Sequence, residues 1–150
     1  MTWSEQTREM LVQAGWMPGR RVPVDHILQI IQDENDYRST ETFVQFISEF
    51  QGIEVKFINA GGYKDNVLID FIAANKVEFA ETVYAYAKRI GKELLPLGKT
   101  NNNLLLLMMA PDGSVYAAFE SYLAFVATTG AALFEVLLLD DREKRIRTIP

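Results

Sequence analysis

The apolar spacing of this chain changes period at Gly52, and that change constrains its fold more than any other feature. Before it, Phe43, Phe46, Ile47 and Phe50 recur at i, i+3, i+4 and i+7, the one-sided stripe of an amphipathic helix. Beyond it, residues 53–58 alternate, with Glu54 and Lys56 on the face opposite the apolar positions, as in a half-buried strand. Two further helical stripes lie upstream. Trp3, Thr7, Met10, Leu11 and Ala14 share one face, Thr2 and Glu5 offer a capping box, and Gly15 stands where a helix end favours a left-handed residue. Val24, Ile27, Leu28 and Ile31 form the second stripe, with Pro23 tolerated in its first turn and the polar run 33–38 closing it as a loop. Ser39 or Thr40 can cap the third helix.

Downstream, residues 60–63 read as a turn and 67–71 as a strand. Asn75 and Glu78 suggest a capping box for a helix with Ala80, Val83, Tyr84 and Ala87 on its stripe, ending before Gly91. Residues 94–97 contain Pro96 and suit a sheet edge or a loop entry. Residues 104–109 are apolar on both faces and predict a central strand. Pro111, Asp112 and Gly113 make a turn, and 115–119 returns as a hairpin. A strand over 122–127 and a helix carrying Leu133, Phe134, Leu137 and Leu138 complete the pass. Helices first, then a sheet with two more helices, predict an α+β fold, with one domain over residues 1–140 and a charged tail over 141–150.

Composition narrows the chemistry. The 150 residues include no cysteine and one histidine, His26, so thiolate catalysis is excluded and a soft-ligand metal site lacks its donors. No metal or other cofactor is expected. Fifteen Lys and Arg against twenty Asp and Glu give a net charge of −5, and the tail itself is basic at +2, which leaves −7 on the first 140 residues. So acidic a body repels phosphate backbones and disfavours direct nucleic-acid binding, whereas a basic protein partner is attracted. The N-terminus has no basic stretch followed by an apolar run, so a cytoplasmic protein is expected. Residues 122–139 are the one membrane candidate, but residues 128–130 interrupt them and Glu135 would cost about 2.5–3.5 kcal/mol near a bilayer centre. They read as a buried strand, a turn and a buried helix.

Candidate motifs for catalysis fail on spacing. Gly98-Lys99-Thr100 resembles the end of a phosphate loop, yet Glu93 occupies the position of the first glycine and a strand follows where a helix is needed. The structural reading is a loop in which Gly98 turns the chain between strands. His26 could act as a general base, but no nucleophile motif flanks Ser4, Ser39, Ser48, Ser114 or Ser121. Acids cluster at Asp33, Glu34 and Asp36 and at Asp140 and Asp141; counting an EF-hand loop from Asp33 puts Arg38 at the sixth position and Val44 at the twelfth, so calcium is not expected. The basic residues of 142–147 read as a solvated end.

Three stretches in order carry a resemblance: Ala14-Gly15-Trp16-Met17-Pro18-Gly19-Arg20, then residues 46–55 around Gly52, then Leu95-Pro96-Leu97-Gly98 with the turn at Pro111-Asp112-Gly113. Taken together they resemble the SUKH superfamily of bacterial immunity proteins, most closely its third group. Gln51 departs from the family pattern, which has a second glycine there. The resemblance implies a SUKH-like α+β domain, N-terminal helices followed by a mainly antiparallel sheet with packed helices. It also implies a non-enzymatic protein that binds a cognate polymorphic toxin, often a basic nuclease, and neutralises it. The signature residues Gly15, Trp16, Arg20, Gly52, Gly98 and Gly113 are expected to be structural, with the glycines permitting turns and none of the six catalytic. The expected partner-binding surface includes Asp33, Glu34 and Asp36 with Tyr37 and Glu41. Two alternatives stand beside it: a small cytoplasmic hydrolase using carboxylates or His26, and a general adaptor or regulatory binding domain.

Overall fold

A computed structural model describes residues 3–34, 37–77, 80–139 and 145–150. Three helices lead, α1 (Glu5–Gln13), α2 (Asp25–Glu34) and α3 (Glu41–Phe50). The cap of α1 is Ser4, whose hydroxyl oxygen accepts the Thr7 N–H at 3.2 Å; Thr2 lies outside the described residues. Thr40 caps α3 through the Phe43 N–H, and Gly15 (φ +107°) and Gly52 (φ +89°) turn the chain after α1 and α3. Asp33 and Glu34 form the last turn of α2 instead of the expected loop.

The sheet is an antiparallel meander in the order β1 (Glu54–Ile58), β2 (Lys64–Ile69), β3 (Leu95–Thr100), β4 (Leu105–Met109), β5 (Val115–Phe119), β6 (Tyr122–Ala127) and β7 (Arg147–Thr148). The fourth strand is central and buried on both faces, as its unbroken apolar run requires. On one face α1–α3 and α6 (Gly130–Leu138) bury Leu11, Ile27, Phe43, Phe50 and Phe134 against Val67, Leu97 and Leu107. On the other, Val83 and Tyr86 of α5 (Ala80–Ile90) pack on Leu106, Met108 and Tyr116. Each such side chain contributes about 1.5–3 kcal/mol. The fold is thus the expected α+β arrangement of helices followed by an antiparallel sheet.

Several local expectations are corrected. The β3 strand is interior, not an edge or a loop entry: it runs between β2 and β4, and Pro96 fits because β2 pairs only with Gly98–Thr100 and the β3–β4 register shifts between Pro96 and Gly98. Gly98 makes no turn. It lies within β3, where an added Cβ would fall 1.8 Å from the Leu68 carbonyl oxygen, so glycine is needed for close approach to β2. Phe71 belongs to α4 (Phe71–Val77), not to the preceding strand. Asp70 Oδ1 accepts the Ala73 N–H at 3.1 Å and caps that helix. Asn75 therefore sits inside α4 and caps nothing; Glu78, its supposed partner, is outside the described residues.

Residues 122–139 form β6, a turn and α6, capped where Thr129 accepts the Ala132 N–H at 3.2 Å. Among the described residues no helix is long and apolar enough to cross a membrane. The chain end differs from a simple solvated tail. Arg147 and Thr148 pair with Phe125 and Ala124, the Ile149 N–H donates to the Leu123 carbonyl at 2.7 Å, and Arg89 donates to the Ile149 carbonyl at 3.1 Å. Without this short strand β6 would present a bare edge. Asp140, Asp141, Arg142, Glu143 and Lys144 lie outside the described residues.

Candidate partner-binding face

The signature residues tie the first loop to the end of α3. The Trp16 indole N–H donates to Glu49 Oε2 at 2.8 Å, and its ring meets Trp3 edge-on with centroids 5.0 Å apart. Arg20 donates to the Glu49 carbonyl and, at 2.9 Å, to the Gln51 carbonyl. These groups lie at the C-terminus of α3, where carbonyls have no partner within the helix. Burial pushes the Arg20 pKa down, opposed by the nearby Glu49 carboxylate. Gln51 has an ordinary φ of −53°, so the turn does not require a second glycine. Its side chain donates to Asp70 Oδ1 at 3.0 Å and accepts the Phe71 N–H at 3.1 Å, joining the end of α3 to the start of α4. Gly113 has φ +90° in the β4–β5 turn, where a Cβ would also come within 3.2 Å of Thr42 Cγ2.

Acidic residues gather beside this scaffold. Residues 1–52 hold eight acids and four bases, and residues 53–150 hold twelve and eleven, so most of the −5 belongs to the helical layer. Asp33 and Glu34 are exposed in the last turn of α2, which contains no base. An anion there opposes the negative end of the helix dipole, so the placement is unfavourable to the helix itself. Glu34 Oε2 accepts from Asn75 Nδ2 at 3.4 Å, and the Tyr37 hydroxyl donates to Asn75 Oδ1 at the same distance. Tyr37 is half-buried, with its ring edge-on to Phe71 at 6.3 Å. Glu34 and Tyr37 are thus brought together on Asn75 of α4, while Asp33, beside Glu34 in the last turn of α2, accepts from Gln29 Nε2 at 2.8 Å. Glu41 stands apart at the exposed start of α3, accepting from Gln45 at 3.3 Å, and Asp36 is outside the described residues.

Next to Tyr37 lies a cleft of about 430 Å³, which the sequence reading missed. Val83, Ala87 and Leu94 line it together with Tyr84, Lys88 and Lys92 and with Tyr37 and Arg38. The only local signal was the exposed Tyr84 and Lys88 pair at i, i+4 on α5. Lys92 Nζ lies 2.7 Å from Asp112 Oδ2 and 3.3 Å from the Tyr116 hydroxyl, hydrogen bonds that raise its pKa. The Lys92 and Ser114 hydrogen bonds lower that of Asp112 to about 2. Lys92 is therefore a cation and no general base, and the Ser114 hydroxyl is held by Asp112 at 2.5 Å. Among the described residues the cleft is lined by one acid, Glu93, and no histidine; His26 is exposed on α2. Among the described residues no group of three or more His, Asp or Glu is placed to hold a metal.

A family model described as SUKH-3 immunity protein matches residues 3–139. Comparisons with curated proteins and with solved structures find no match. The matched span includes the helical layer, strands β1–β6, α6 and all six signature residues. The chain belongs to the SUKH-3 immunity protein family.

Proposed function

We propose that the protein is a cytoplasmic immunity protein that neutralises a cognate toxin by one-to-one binding and has no catalytic step of its own. The family match over residues 3–139 carries this reading. Charge supports a basic partner, and a nuclease is the class whose cleft for phosphate an acidic surface fits best. The proposed contact surface is the acidic helical layer at Asp33, Glu34 and Asp36, extended by Tyr37 and Glu41. Asp33 and Glu34 at the negative end of α2 support this, because a cationic partner would relieve the unfavourable placement. Direct binding to nucleic acid is not part of the mechanism; the protein competes for the toxin surface.

The test is capture of the toxin domains encoded beside its gene, followed by rescue of cells that express the captured toxin. Stable one-to-one capture with rescue supports the reading. Capture without protection, or no capture of any such toxin, contradicts it.

A further inference from the structure

Among the described residues, the lining of the cleft beside Tyr37 has the opposite charge to the corner it adjoins. Its lining carries Arg38, Lys88 and Lys92 against Glu93, on a chain whose net charge is −5. Two of these cations are already engaged: Lys92 with Asp112, and Arg38 with Glu93 at 3.9 Å between exposed side chains, a weak pairing. Lys88 forms no ion pair with an acid among the described residues; its Nζ lies 5.6 Å from the Tyr84 ring centroid. Val83, Ala87 and Leu94 make part of the lining apolar, beside Tyr37 and Tyr84. The volume of about 430 Å³ falls within the range of sites that enclose a single small ligand or side-chain group.

We propose that this cleft receives a carboxylate-bearing segment of the protein partner, with an apolar or aromatic side chain on Val83, Ala87 and Leu94 and the neighbouring carboxylate held by Lys88 and Arg38. That the segment belongs to a toxin rests on the function proposed above; the cleft chemistry does not. Adjacent sites of opposite sign, divided by Tyr37, require an opposite alternation on the partner. That requirement fixes the docking register and rejects partners lacking the carboxylate, whose approach would leave Lys88 desolvated without an anion.

The test is an NMR titration of the full isotope-labelled chain with a capped tetrapeptide of two glutamates, a phenylalanine and a leucine. The same peptide with lysines in place of the glutamates and a short oligothymidylate are titrated in parallel. The acidic peptide is expected to bind in the millimolar range and shift the amides of Tyr84, Lys88 and Leu94. Lys88→Glu should weaken it about fivefold, near the upper value for one exposed charge pair, while Lys88→Arg should retain binding. Absence of shifts, equal shifts from the lysine peptide, or stronger shifts from the oligonucleotide would each overturn the proposal. Because the peptide reports on the cleft alone, failure here is separable from failure to capture a toxin.

Discussion

Gly98 of β3 lies against Leu68 of β2 so closely that a methyl group on it would sit 1.8 Å from the Leu68 carbonyl oxygen. The clash is with backbone between two paired strands, and no side chain can swing away to relieve it. Gly98→Ala is therefore expected to destabilise the fold by about 2–4 kcal/mol. Equilibrium urea unfolding measures this directly, and stability within about 0.5 kcal/mol of wild type would show that the strands separate without cost.

Arg20 gives a second test at the other end of the domain. Arg20→Ala leaves carbonyls of Glu49 and Gln51 without their donor at the end of α3 and should cost about 2–3 kcal/mol. Arg20→Lys should recover only part of that, because an ammonium lacks the planar fork that reaches two carbonyls at once. The same unfolding measurement ranks the three proteins, and equal stability of the alanine and wild-type forms would remove Arg20 from the tie.

Acid should weaken the fold through two carboxylates. Hydrogen bonds from Lys92 and Ser114 hold Asp112 at about 2, below the usual 3.8. At Glu135, burial pushes upward, but the Ser4 N–H and the Thr7 and Ser4 hydroxyls outweigh it and bring the pKa down. Folded-state values below the unfolded ones mean that the stabilisation is complete above the ordinary carboxylate range and is lost as protons bind the folded form. Stability is expected to fall from about pH 5 toward the Asp112 value near 2. Asp112→Asn should flatten the lower part of that limb in thermal melts across pH, and an unchanged limb would count against the Lys92–Asp112 contact.

The acidic corner predicts opposite effects on binding and stability. Replacing Asp33 and Glu34 with lysine should slow association with a basic toxin about tenfold or more at low salt, converging with wild type as salt rises. Removing anions from the negative end of α2 should leave the isolated protein as stable or slightly more so. Stopped-flow association at several salt concentrations, beside thermal melts, separates the two. Unchanged kinetics would take this corner out of the interface.

Much of the architecture was legible because it is written in local spacing. Phe43, Phe46, Ile47 and Phe50 declare α3, the alternation after Gly52 declares β1, and the apolar run of β4 shows a strand covered on both faces. Several of the misread elements depend on neighbours distant in sequence, whereas the start of α4 turns on the local cap at Asp70. Pro96 reads as an edge residue until the short reach of β2 is known, and Gly98 reads as a turn until Leu68 is placed against it. The chain end becomes a strand only because β6 leaves an open edge. At the candidate site, Asp33 and Glu34 were visible as a charge cluster, but the cleft joins Tyr37 and Arg38 to residues of α5 and the segment after it, a juxtaposition that no local pattern encodes.

The most direct test of toxin neutralisation by binding is titration of the purified cognate toxin's activity with this protein. Activity should fall linearly and reach zero at one equivalent. Full inactivation by a small fraction of an equivalent, or activity that persists in excess protein, would contradict the account.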